Sequence, residues 1–258
     1  MKLTFEDIGS GKPVVLIHAF PLSSKMWKSQ AELLVENGFR VILPDLPGFG
    51  NNDEISNRYS IDEMALQVLQ ILDSLNINKA IIGGLSMGGY VLFNLCRLAS
   101  EKFAALIFCD TTYLADTEEK RTSRFDLISK IEKQGANALI ENMLPNLISD
   151  DTKQNNPQLV KELEDIFSKV KPAAATNALL SMAERKNNSL ILDKISVPTL
   201  LIFGEFDKVT NLENAQEMNQ LIFESELVVI ERAGHFSNLE QPEKFNEALL
   251  DFCNRIKF

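Results

Sequence analysis

With 258 residues, 45% of them apolar, the chain is long enough to bury one large α/β core or at most two small ones. Its formal net charge of −10, from 36 acidic against 26 basic side chains, repels phosphate backbones and argues against a nucleic-acid partner. No apolar run exceeds strand length, which argues against a membrane span, and three widely spaced cysteines read as free thiols of a reducing compartment, the cytoplasm.

The first ten residues mix polar and apolar side chains and carry no leader-like apolar core. Pro13–His18 is a short β-branched run that predicts a buried strand, running into the loop residues Ala19-Phe20-Pro21. Met26–Glu36 has apolar residues at helical spacing and stops at Asn37-Gly38. A strand over Phe39–Leu43 enters the turn-rich Pro44–Gly50. Ser60, with Glu63 three residues on, predicts the cap of a helix reaching Leu75, with Met64, Val68 and Leu72 on its apolar face. Then come a strand over Lys79–Gly83, a Gly-rich turn, a helix over Met87–Ala99 and a strand over Phe103–Asp110.

From Thr112 to Asn188 strand-like runs vanish, and helical segments are broken at Pro145, Pro157 and Pro172. Alternation resumes with strand Pro198–Phe203, helix Asn211–Leu221, strand Glu226–Ile230 and helix Pro242–Ile256. Short apolar strands alternating with amphipathic helices predict an α/β fold, a mostly parallel sheet flanked by helices. The expected organisation is a core built from 1–111 and 189–258, with 112–188 inserted as a helical cap.

The chemistry starts at Gly84-Leu85-Ser86-Met87-Gly88, a Gly-x-Ser-x-Gly turn joining a predicted strand directly to a predicted helix. That context suits a nucleophile: glycines allow close backbone approach, and the helix N-terminus favours developing negative charge. A plain Gly-rich connection or a nucleotide-binding turn is the competing reading, but no Gly-x-Gly-x-x-Gly or P-loop lysine accompanies it. A serine hydroxyl needs a base, and only two histidines exist, His18 and His235. His235 follows the last strand on a Gly-containing loop and is the expected base. His18 leads into Ala19-Phe20 and reads as a structural histidine shaping that loop. The imidazole in turn needs a carboxylate. Asp207, just past the strand beginning at Pro198, gives the chain order Ser86, Asp207, His235; Asp110 and Glu205 are the alternatives. The backbone N–H groups of Phe20 and Met87 are the expected oxyanion donors.

With these residues in place, the chain resembles the α/β-hydrolase superfamily along essentially its whole length. His18-Ala19-Phe20-Pro21 is similar to the family's oxyanion loop, with Ala19 where that loop has glycine. Asp45-Leu46-Pro47-Gly48-Phe49-Gly50, Gly204-Glu205-Phe206-Asp207 and Gly234-His235 are similar to its Asp-x-x-Gly-x-Gly, acid and histidine loops. Gly84–Gly89 looks like the small-carboxylesterase and 3-oxoadipate enol-lactonase branch, though haloperoxidase-like and carbon–carbon hydrolases share the scaffold.

The resemblance implies an ester or lactone substrate, a Ser-His-Asp triad and an acyl-enzyme, with no metal or organic cofactor required. A homodimer is compatible with it, and a ligand-binding protein without turnover is the alternative from another class. In the cap, Phe125, Ile128, Met143, Leu144, Leu147, Leu179 and Met182 are expected to pack onto the core or line the site. Arg121, Arg124, Arg185 and Lys186 are candidates for holding a substrate carboxylate, with solvated surface as the competing reading.

Overall fold

The apolar runs of the sequence become the buried centre of one seven-stranded sheet. The computed structural model describes residues 3–52 and 58–257. In chain order its elements are β1 (Phe5–Gly9), β2 (Lys12–Ile17), α1 (Lys28–Glu36), β3 (Phe39–Pro44), α2 (Ile61–Ser74), β4 (Ala80–Leu85), α3 (Met87–Leu98) and β5 (Phe103–Cys109). Six helices follow with no strand between them: α4 (Glu118–Gln134), α5 (Asn137–Asn142), α6 (Leu144–Leu147), α7 (Asp150–Asn155), α8 (Pro157–Ser168) and α9 (Pro172–Ala183). The chain then continues through β6 (Thr199–Gly204), α10 (Leu212–Leu221), β7 (Ser225–Ile230), α11 (Ser237–Glu240) and α12 (Pro242–Arg255). Among the described residues no helix is long and apolar enough to cross a membrane.

The strand order is β1-β3-β2-β4-β5-β6-β7, parallel except where β1 meets β3. Strands β4 and β6 are buried along their full length, as parallel strands covered by helices on both faces must be. The crossover through α1 steps from β2 outward to β3, whereas the one through α2 returns past β2 to β4. Right-handed crossovers therefore put α1 and α2 on opposite faces, with α3 beside α2 and α12 beside α1. The reversal lies between β2 and β4, and crevices for ligands form at the carboxyl ends of strands at such a point. Those two ends carry Phe20 and Ser86.

Two aromatic contacts fix the layers. Trp27, in a short turn of helix before α1, is fully buried 6.0 Å from the ring of Phe245 on α12. Phe93 of α3 stacks on Phe108 of β5 at 4.3 Å. Strand β1 had no signature in the sequence because it is an edge: four of its five residues are exposed, so no buried face imposes alternation. Arg40 of β3 holds it by a two-pronged bond to Asp7, at 2.8 and 2.7 Å.

Helix α2 starts where its cap predicts. Ser60 Oγ accepts the Glu63 N–H at 3.2 Å, and the Glu63 carboxylate accepts the Ser60 N–H at 2.8 Å. Ser60→Ala removes the first of these bonds and should cost about 1 kcal/mol. Calorimetry should then show the thermal midpoint lowered by about 2–4 °C.

Candidate active site

Ser86 sits between β4 and α3 with φ 53° and ψ −111°, a conformation that costs a non-glycine residue on the order of 1–3 kcal/mol. Its surroundings hold it there. The Ser86 N–H donates to Cys109 O at 3.0 Å, and its carbonyl accepts from Thr111 Oγ1 at 2.9 Å and Tyr90 N at 3.1 Å. The flanking glycines are sterically required. A Cβ at Gly84 would stand 2.4 Å from the Gly88 carbonyl oxygen, and one at Gly88 would stand 2.2 Å from Ile17 O.

The loop after β7 brings the imidazole to this turn. His235 Nε2 lies 2.8 Å from Ser86 Oγ, and Nδ1 lies 2.8 Å from Asp207 Oδ2. An ionised carboxylate can only accept, so Nδ1 carries the proton, and Nε2 is left with its lone pair toward the serine hydroxyl. Asp207 is itself fixed: Oδ1 accepts the N–H groups of Val209 and Thr210 at 2.7 and 3.1 Å, and Oδ2 also accepts the Thr210 hydroxyl. Burial works to raise its pKa, but the charge and hydrogen bond of His235, helped by Thr210 and Val209, hold the carboxyl below its usual range.

The alternatives are occupied elsewhere. Asp110 is fully buried; it accepts the Gly204 N–H at 2.7 Å and the hydroxyl of Ser237. Glu205 is exposed and accepts the backbone N–H of Arg232 at 3.0 Å. His18 is fully buried and uses both ring nitrogens: Nδ1–H donates to Ala19 O and Nε2 accepts the Leu46 N–H, both at 2.9 Å. Burial lowers its pKa, so it stays neutral and pins the loop after β2 to the loop after β3.

Phe20 and Met87 follow β2 and β4, which are neighbours in register, so their N–H groups lie at the same end of the sheet. Neither N–H finds a backbone acceptor among the described residues.

Glu240, on α11, braces the histidine loop. Its Oε1 accepts the Gly234 N–H at 2.9 Å, and Oε2 accepts the Ser149 N–H at 2.8 Å and the Thr152 hydroxyl at 2.7 Å. The His235 N–H adds a bond to Leu147 O at 3.1 Å. The histidine loop is thus tied to the segment between α6 and α7. No local pattern marks Glu240, because two of its partners lie about ninety positions away in the chain.

A cavity of about 610 Å³ lies beside this site, with Tyr90, Val209, Met143 and Leu179 in its wall. Arg124 and Arg185 also line it, whereas Arg121 is exposed and Lys186 pairs with Asp62 at 2.7 Å. Of the other apolar residues singled out between β5 and β6, Ile128, Leu144, Leu147 and Met182 are buried and Phe125 is exposed.

A sequence profile described as alpha/beta hydrolase fold matches residues 12–242. A thermophilic esterase from Thermogutta terrifontis, solved with malate bound, is 36% identical with a TM-score of 0.93, covering 98% of this chain and 93% of that one. 3-Oxoadipate enol-lactonase 1 of Acinetobacter baylyi is 29% identical over 95% of this chain and 89% of its own. A 2-hydroxy-6-oxo-6-(2'-aminophenyl)hexa-2,4-dienoic acid hydrolase of Metapseudomonas resinovorans is 28% identical over 96% and 86%.

Asp110 gives a test of these electrostatics. Burial and then the charge of Asp207 raise its pKa well above the usual carboxylate range. The folded state therefore keeps a proton that the unfolded chain loses, so this contribution is full below the ordinary carboxylate pKa and fades as pH rises toward the folded value. Asp110→Asn keeps an acceptor for the Gly204 N–H and removes the titration, with the Ser237 hydroxyl turning to accept from the amide instead of donating. Thermal midpoints measured from about pH 4 to 8 should decline less with rising pH in the variant than in wild type.

Proposed function

The chain belongs to the alpha/beta hydrolase fold family, and from that membership we propose that it is a serine hydrolase cleaving small esters or lactones, with Ser86 as nucleophile, His235 as base and Asp207 as the supporting acid. The observation that carries this reading is the unbroken line of bonds from Asp207 through His235 to Ser86, 2.8 Å at each step. Proximity of that quality in a side-chain line needs no substrate to assemble it.

In the proposed reaction His235 Nε2 takes the Ser86 proton as Oγ attacks the carbonyl carbon. The Phe20 and Met87 N–H groups receive the oxyanion, and Met87 also stands at the positive end of α3. Collapse expels the alcohol, which takes the proton from His235. Water deprotonated by the same imidazole then attacks the acyl-enzyme, and the released Ser86 oxygen recovers its proton. Asp207 keeps the productive tautomer and stabilises the imidazolium at each stage. We take residues 112–188 as a cap that excludes bulk water from these steps.

The ester reading is preferred over carbon–carbon bond cleavage because the 36%-identical structural relative is described as an esterase, against 28% for the dienoic acid hydrolase. A protein that only binds ligand would react with an active-site phosphonate at most slowly and would not turn over an acetyl ester.

Ser86→Ala should lower kcat on 4-nitrophenyl acetate by about 10⁴ or more with the thermal midpoint kept. Retention of more than about a tenth of wild-type turnover, against that expected loss, would sink the assignment. Asp207→Asn should lower kcat by about 10³–10⁴, because the amide offers His235 the wrong partner, while Asp110→Asn should cost far less. An inactive, well-folded Asp110→Asn beside an active Asp207→Asn would move the acid to the end of β5.

A further inference from the structure

The wall of the 610 Å³ cavity contains an unbalanced cluster of charge. At its centre is Asp116, whose side chain is wholly buried and takes two guanidinium groups. Arg124 Nε lies 2.5 Å from Oδ2, and Arg185 Nη1 lies 2.6 Å from Oδ1. Burial alone would raise the Asp116 pKa, but the two arginines hold it below the usual carboxylate range, so it is ionised. One carboxylate against two guanidiniums leaves an excess of one positive charge in a partly desolvated place.

Arg185 is turned inward, its side chain 4% exposed against 18% for Arg124. Besides Asp116 it donates to Leu114 O at 3.1 Å and Met182 O at 2.9 Å, and it lies over the Tyr90 ring at 4.2 Å. Arg124 is the more open of the two: its Nε and Nη2 bond Asp116, Nη2 at 3.3 Å from Oδ1, the Tyr90 side chain is a further partner, and Nη1 lies 3.7 Å from Met182 Sδ, a weak acceptor. Two lysines on the same wall add charge that neutral groups receive: Lys120 donates to Val209 O at 3.4 Å and Lys130 to Asn142 Oδ1 at 2.6 Å. Around the whole cavity basic side chains outnumber acidic ones five to two, in a chain whose net charge is −10. A concentrated positive wall on an anionic protein focuses anions at that one place.

Two residues of the cavity wall contact the backbone of Ser86 and the carboxylate of Asp207. Tyr90 donates its N–H to the Ser86 carbonyl at 3.1 Å, and Val209 donates its N–H to the Asp207 carboxylate at 2.7 Å. We infer that this cavity is an anion subsite in which Arg124 is the principal donor, and that the ester or lactone hydrolysed at Ser86 carries a free carboxylate. The inference rests on the serine-hydrolase reading and adds the charge of the substrate to it. With its Nε–Nη2 edge on Asp116, Arg124 has its Nη1–Nη2 edge to meet a carboxylate with two donors, which a lysine would not.

The experiment measures kcat/KM on two short panels. One places the carboxylate in the acyl group, as the mono-4-nitrophenyl esters of succinic, glutaric and adipic acids. The other places it in the leaving group, as acetoxybenzoates. Each substrate is paired with its neutral carboxamide counterpart. At least one pair should favour the carboxylate by about tenfold or more, the effect of a single charge-assisted bond, mainly through KM, and added salt should narrow the margin. Arg124→Met, which leaves Asp116 paired with Arg185, should bring the ratio close to one. Arg124→Lys should restore part of it, with thermal midpoints checking the fold of both. Carboxamides equal to or better than carboxylates across both panels overturn the anion subsite, as does an unchanged preference in Arg124→Met. Neutral esters cleaved by wild type and not by Ser86→Ala uphold the serine-hydrolase reading whatever the ratio, so the two ideas fail separately.

Discussion

Where β4 turns into α3, positions 84 and 88 have room for a hydrogen atom and nothing larger. The backbone of Gly88 is pressed against Ile17 O at the end of β2, and Gly84 against Gly88 itself. That contact sets the first turn of α3 directly beside the loop that carries Phe20. It also forces Ser86 into a conformation an L-residue adopts only under constraint, kept by bonds from Cys109, Thr111 and Tyr90. The residues of the site come from strand ends far apart in sequence, and each is positioned relative to this crowded point.

Two buried aspartates near that point show how local bonding decides the state of a side chain. Asp207 and Asp110 are both shielded from water, yet their pKa values move in opposite directions. Asp207 has His235 and three donors from residues 209 and 210, which stabilise its anion. Asp110 has two neutral donors and faces the charge of Asp207, so for it the neutral form is favoured. Carboxylates pushed apart in this way take different roles: one supports the imidazole and the other holds β5, β6 and α11 together.

Most of the fold was legible because its inner strands are buried on both faces and its helices on one, so burial wrote a period into the sequence. Of the two edge strands, β7 still carries the apolar run Leu227-Val228-Val229-Ile230, whereas β1, exposed at four of five positions, carries none. The order Ser86, Asp207, His235 was also legible, since each residue directly follows a strand and carries glycine close by in its loop. Choosing between Asp207 and Asp110 needed coordinates: both end strands at the same sheet edge, and only the direction of their hydrogen bonds separates them. The cluster around Asp116 was half visible. Arg124 and Arg185 stood out by type, but the acid that gathers them lies in a loop whose sequence, Leu114-Ala115-Asp116, carries no sign of burial.

Glu240 has a consequence for recombining this scaffold. Its carboxylate binds Gly234, beside the imidazole, and also Ser149 and Thr152, between β5 and β6. The helical stretch is therefore not a detachable module with seams at both ends. A chimera that imported residues 112–188 from a relative with no hydroxyl at position 152, while keeping this chain's C-terminal part, would leave the buried Glu240 with its Gly234 bond but short of a donor, a loss of about 1–3 kcal/mol. The natural crossover unit is discontinuous, and residues 147–152 have to travel with the loop and helix from Gly234 to Glu240.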